Sequence, residues 1–243
     1  MKRMRSRAEN APRPWGRGFW FGLCACAFLF GCDTATTGPR SPASADSLSY
    51  LALGDSYTIG EGVAEPERWP MQLASRARAN GIPLADPQII ARTGWTTGEL
   101  AAALSLADPK GPYGWVSLLI GVNNQYRGMP VEDYRAGFAN LLDRAVALAG
   151  GRPERVLVLS IPDWGASFYG RNYDSASIAS EIDAFNRVNL EVTIARGCRY
   201  ADVTPASRAA RGDESRFAPD GLHPSGIQYA EWVEAALAAL GKR

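Results

Sequence analysis

Histidine is nearly absent from this chain of 243 residues. His223 is the only one, so any imidazole chemistry depends on a single side chain. Cysteine is scarce and unevenly placed: Cys24, Cys26 and Cys32 fall near the start, and Cys198 stands alone in the rest. The body of the chain therefore has no partner for an internal disulfide, and no cysteine pair has a metal-ligand spacing. A lone Cys flanked by apolar residues reads as packing. Long apolar runs are missing too. The longest, 19–31, falls short of the about 20 residues that span a bilayer. There is no excess of basic charge. The net charge of +1 hides an asymmetry, because six of the 26 bases and one of the 25 acids lie in the first 31 residues. The remainder carries 20 bases against 24 acids, a net −4, which is no electrostatic footprint for nucleic acid. No internal repeat and no G-x-G-x-x-G opening a helix are found, and Asp55 and Glu61 disfavour phosphate near the first loop.

What is present is a globular composition, 46% apolar and 21% charged with seven Trp, enough for a substantial core. The basic start followed by "FWFGLCACAFLFGC" has the layout of a secretory signal. The end of the run, Leu29-Phe30-Gly31-Cys32, resembles the lipobox of bacterial lipoproteins. The resemblance implies removal of residues 1–31, a lipid on Cys32 and an exported protein held at a membrane through it. Residues 33–47, rich in Thr, Ser, Ala and Pro, read as a flexible tether, with the lipidated Cys and linker at 32–47 and the folded domain at 48–243.

From Leu48 onward β-prone runs alternate with helical patterns. Strands are expected at 49–54, 87–92, 115–120, 155–160 and 199–203, the third and fourth apolar on both faces. Three helical stripes accompany them. One is Tyr134, Phe138, Leu141, Ala145 and Leu148; a second is Ile178, Ile182, Phe185, Val188 and Val192, capped by Asp174 or Ser175. The third is Ile227, Ala230, Val233, Leu237 and Leu240, on a helix started by Pro224 and Ser225. Such alternation implies a parallel sheet between helical layers, with the site beyond the carboxyl ends of the strands.

Ser56 stands at such an end, in "YLALGDSYTIGEG". A serine hydroxyl needs a base, and His223 is the only histidine that can serve. Asp220 lies three residues before it in "DGLHPSG", close enough in a tight segment for its carboxylate to reach the imidazole. The three residues fit the division of labour of a serine hydrolase, with Ser56 as nucleophile, His223 as base and Asp220 as the group that orients it. Thr58 stands where G-x-S-x-G would need its second glycine, so the α/β-hydrolase elbow does not fit.

"GDSYT" at 54–58, Gly94 in "RTGWTT", Asn123 in "GVNN" and "DGLHP" at 220–224 resemble, in order, the four signature blocks of the SGNH (GDSL-type) hydrolases. The resemblance covers about residues 48–240. It implies an α/β fold: a three-layer α/β/α sandwich around a five-stranded parallel sheet, like flavodoxin. It also implies an esterase, lipase, thioesterase or carbohydrate deacetylase working without a metal or organic cofactor. The family's oxyanion donors would map onto the backbone N–H of Ser56 and of Gly94 and the side-chain amide of Asn123. Two positions depart from the pattern: Tyr57 replaces the usual Leu, and Asn124 replaces the usual Asp. Asp55 reads as structural. Trp95, Tyr126, Arg127, Trp164 and Tyr169 follow expected strand ends and are candidates for lining an acyl or sugar pocket. The favoured substrate is a short acyl ester of a larger alcohol such as a glycan. The alternative is a surface-anchored binding protein on the same fold, without catalysis.

Overall fold

The computed structural model describes residues 47–241. The signal, the lipid site at Cys32 and all of the tether before Asp46 and up to it lie outside the described residues.

Five strands, β1 (Leu48–Gly54), β2 (Leu84–Ala91), β3 (Trp115–Leu119), β4 (Val156–Leu159) and β5 (Arg199–Ala201), form one all-parallel sheet in the order β2-β1-β3-β4-β5. The helices are α1 (Ser56–Ile59), α2 (Trp69–Ala79), α3 (Thr97–Ala107), α4 (Val122–Tyr126), α5 (Val131–Leu148), α6 (Ser175–Ala195), α7 (Thr204–Ala209) and α8 (Gly226–Gly241). α2 packs with α8, whereas α5 packs with both α3 and α6. The two groups follow from the strand order. The chain runs outward from β1 to β2, then returns past β1 to β3, and crossovers of one hand place the helices of the two directions on opposite faces.

That layering explains the burial. β3 and β4 are buried along their whole length, as strands covered on both faces must be. The order reverses at β1 and β3, and between their carboxyl ends opens the crevice where sheets of this kind take ligands. Ser56 leaves β1 there, and Asn123 leaves β3.

Several expected boundaries move. β2 begins at Leu84 rather than 87, because Pro87 is tolerated on an edge strand; the pairing with β1 is irregular just before it. β5 stops at Ala201 instead of 203. Beyond it the N–H groups of Val203 and Thr204 both donate to Ser160 Oγ, at 2.8 and 3.1 Å, so side-chain bonds replace the ladder. The expected stripes of α5 and α6 face the core, with Leu148 partly buried, and Asp174 caps α6. The expected face of α8 is turned. Ile227 is 55% exposed, and the buried face is Tyr229, Trp232, Val233, Ala236 and Leu240. The rings of Tyr229 and Trp232 pack edge to face at 5.1 Å, and their volume decides which side turns inward. The helix itself begins at Gly226, with Tyr229 N–H donating to Ser225 O. Cys198 is a free, partly buried thiol that burial pushes up to about 11.

Candidate active site

Ser56 is the first residue of α1, directly after the Asp55 that caps it: Asp55 Oδ1 accepts the Tyr57 N–H at 3.1 Å. As the opening residue, Ser56 has an N–H with no acceptor within the helix. Its side chain is 5% exposed, and its Oγ makes no hydrogen bond among the described residues. Asp55 is fully buried, and its Oδ2 has no hydrogen-bond partner among the described residues. Burial pushes its carboxyl up to about 7, against the pull of the Tyr57 N–H.

A carboxyl raised on folding stabilises the fold while it is protonated. That contribution is full below the unfolded value near 3.8 and is lost as pH rises through about 7. The Asn in Asp55→Asn keeps an acceptor for the Tyr57 N–H but does not titrate. Between pH 5 and 9 the wild type is expected to lose about 3 kcal/mol more stability than this variant. Parallel melting curves of the two proteins across pH measure the difference, and equal slopes would refute the assignment.

The second element is the loop at 216–225. Phe217 and Pro224 form an isolated antiparallel bridge, Ala218 N–H donates to His223 O at 2.7 Å, and Ser225 N–H donates to Arg216 O at 2.9 Å. Asp220 Oδ1 accepts the N–H groups of Leu222 and His223, at 2.9 and 3.0 Å, and so folds the tip of the loop. Gly221 has φ +68°, a conformation that residues with a Cβ adopt only with strain. Asp220 Oδ2 lies 2.6 Å from His223 Nδ1. Burial would raise the Asp220 carboxyl, but the His223 ring and the two N–H donors together hold it below the usual carboxylate range. An ionised carboxylate can only accept, so Nδ1 carries the proton and the neutral ring presents Nε2 as a base.

Tyr57 links the two elements. It is buried, with its ring 5.4 Å from the His223 ring at 59° and 5.9 Å from that of Trp232. The residue beside Ser56 thus forms the wall against which the histidine rests. No hydrogen bond joins Ser56 to His223 among the described residues; such bonds are commonly long before substrate binds.

The third element is the turn after β2. Trp95 N–H donates to Arg92 O, and Gly94 occupies the third position of this turn with φ +85°, as a type II turn requires. α4 is stapled to this turn. Asn123 Nδ2 donates to Trp95 O at 3.0 Å, and Arg127 Nη2 donates to Gly94 O at 2.5 Å while pairing with Glu99. Asn124 is fully buried; its Oδ1 accepts the Thr97 N–H at 3.0 Å and its Nδ2 donates to Thr97 Oγ1 at 2.9 Å. An amide makes both contacts without burying a charge, which accounts for Asn at this position.

Among the residues suggested for the pocket, Trp95 is half-buried against the core, and Arg127 is engaged as described. Trp164 is 5% exposed and donates its indole N–H to Gln125 Oε1 at 2.7 Å, which makes it a support. Tyr126 is 42% exposed. Sequence reading did not find the hold of Arg127 on Gly94 or the Tyr173 hydroxyl beside Tyr169. Among the described residues no group of three or more His, Cys, Asp or Glu side chains could hold a metal ion.

A doubly wound parallel sheet with a Ser, a His–Asp pair and clustered donors at its switch point has the layout of a serine hydrolase. The model of the GDSL-like lipase/acylhydrolase family matches residues 52–230, most of the chain. The chain belongs to this family and is an ester-hydrolysing serine hydrolase. Solved structures share its fold. TesA is 23% identical with a TM-score of 0.60, over 79% of this chain and 98% of that one. The psychrotrophic esterase EstA from Pseudoalteromonas sp., inhibited by monoethylphosphonate, is 18% identical with a TM-score of 0.57, over 80% and 97%. Axe2, an acetylxylan esterase from Geobacillus stearothermophilus, is 17% identical with a TM-score of 0.60, over 81% and 95%. A search of curated proteins finds no match.

Proposed function

We propose that this enzyme removes short acyl groups from a hydroxylated alcohol through an acyl-enzyme on Ser56. The observation that carries the reading is the 2.6 Å Asp220–His223 pair, whose ring rests on Tyr57 next to the serine. In the reaction Ser56 Oγ attacks the ester carbonyl while His223 Nε2 takes its proton. Asp220, ionised, stabilises the imidazolium. The carbonyl oxygen becomes an oxyanion facing the N–H groups of Ser56 and Gly94 and the Asn123 amide. One Nδ2 hydrogen of Asn123 is held by Trp95 O, which orients the other. The imidazolium then passes its proton to the departing alkoxide. Water then attacks the acyl-serine as the same nitrogen takes its proton; the acyl–Oγ bond breaks, the imidazolium returns the proton to Ser56 Oγ, and the carboxylic acid leaves.

The preference for short chains rests on the low exposure of Ser56, 5%, and on the packing beside the histidine loop. Tyr57 and Trp164 are buried next to Leu222 and Phe217, so the walls near the histidine loop are already packed. On p-nitrophenyl esters from acetyl to dodecanoyl, kcat/KM is expected to be highest at acetyl and about tenfold lower by octanoyl. A rate that climbs to dodecanoyl would instead indicate a lipase.

A further inference from the structure

Beside the candidate site three phenols are linked in a row. The Tyr126 and Tyr169 hydroxyls lie 3.0 Å apart, and those of Tyr169 and Tyr173 lie 2.9 Å apart. Their rings surround the Trp164 indole: Tyr126 and Tyr173 each stand edge-on to it at 5.3 Å, and Tyr169 is tilted at 6.2 Å. The support underneath is fully bonded, since Trp164 donates to Gln125 and Gln125 donates to Glu181 Oε2 at 2.7 Å. Above it, Tyr126 and Tyr173 remain 42% and 45% exposed.

The row is fastened to both halves of the candidate site. Tyr126 ends the helix that carries Asn123 one turn earlier. Tyr169 N–H donates to Gly221 O at 3.0 Å, between Asp220 and His223. A substrate whose acyl group sits at Ser56 has its alcohol portion within reach of this ledge.

We propose that the Tyr126–Tyr169–Tyr173 ledge is a subsite for a neutral sugar ring in the alcohol part of the ester. This rests on the esterase reading above and extends it to the other half of the substrate. Three phenols share two hydrogen bonds, so one proton and several lone pairs face outward. A sugar offers what both parts of the ledge require: C–H groups that pack on an aromatic surface, and neighbouring hydroxyls that replace the water on the phenols. A hydrocarbon chain would cover the same hydroxyls and leave them unbonded, which opposes its binding there. The linked groups of the ledge are uncharged, which suits a neutral ring rather than an anionic one.

Binding is measured apart from catalysis by titrating xylotetraose and cellotetraose into the Ser56→Ala protein in a calorimeter. At least one sugar is expected to bind, with affinity about tenfold weaker when Tyr173→Ala is added. Tyr173→Phe, which keeps the ring and loses the hydroxyl, is expected to weaken it by about threefold without changing the melting curve. In the Ser56 background the ratio of kcat/KM for acetylated xylotetraose to that for p-nitrophenyl acetate is expected to fall about tenfold with Tyr173→Ala. No binding of either sugar, or equal affinity in both Tyr173 variants and their parent, overturns the ledge. Sugar binding by a protein that cleaves no ester would keep the ledge and remove the esterase reading.

Discussion

Ser56→Ala is expected to lower kcat/KM for p-nitrophenyl acetate by roughly 10⁴-fold or more while the protein keeps its melting temperature. The two halves of this expectation have separate physical grounds. The loss of rate follows from removing the atom that forms the acyl bond. Water in its place must attack without being held at the carbonyl, and what survives is the help of the oxyanion donors. The unchanged stability follows from the position of the hydroxyl, which makes no hydrogen bond among the described residues and so leaves no orphaned partner when removed. His223→Ala is expected to cost about as much, and the double variant no more than either single one. Nucleophile and base serve one step, and losing both loses that step only once. Initial rates on the three variants with parallel melting curves check this. Multiplying losses in the double variant would mean that the two residues work independently.

The second large effect belongs to Asn123. Asn123→Ala is expected to lower kcat by roughly 10²–10³-fold with little change in KM, because its second Nδ2 hydrogen meets a charge that exists only in the transition state. The variant also frees Trp95 O, which raises the question of whether the turn collapses. Two other bonds secure it: Arg127 on Gly94 O, and Asn124 on Thr97 from both ends of its amide. Asn123→Asp separates shape from donation. It fills the same space but offers no donor and adds a negative charge, so its loss should equal or exceed that of alanine. Steady-state kinetics on both variants give the split, and an unchanged kcat in either would remove Asn123 from the oxyanion site.

How much of this was legible depended on the range of the interaction. β3 and β4 were visible as unbroken apolar runs, because a strand covered on both faces can carry little else. α5 and α6 were visible because their stripes repeat at the helical period. The strand pattern put Ser56 at the end of β1, and the signature blocks that carry Gly94 and Asn123 fell, as the switch-point rule asks, after β2 and β3. Asp220 and His223 were legible as a pair because three residues in a tight loop bring the side chains together.

What was hidden depends on contacts that cross the chain. The buried face of α8 is set by how Tyr229 and Trp232 nest against each other and Tyr57, which periodicity alone does not resolve. Tyr57 and Asn124 stood out only as departures from a motif. The structure makes one the wall behind the histidine and the other an uncharged brace for the turn after β2. Arg127 was suggested for substrate, but its guanidinium holds Gly94 O across 33 positions of sequence. The phenol row links Tyr126 to residues more than forty positions later, beyond any local pattern.

The central claim is that Ser56 carries the acyl group, with His223 as its base. Its most direct measurement is labelling with an alkyl fluorophosphonate, followed by intact-mass analysis and peptide mapping. The expected result is one adduct per chain, on the peptide containing Ser56, with activity lost in proportion and labelling much slowed in His223→Ala. Activity that survives complete labelling of Ser56, or an inactivating adduct on another residue, would contradict it.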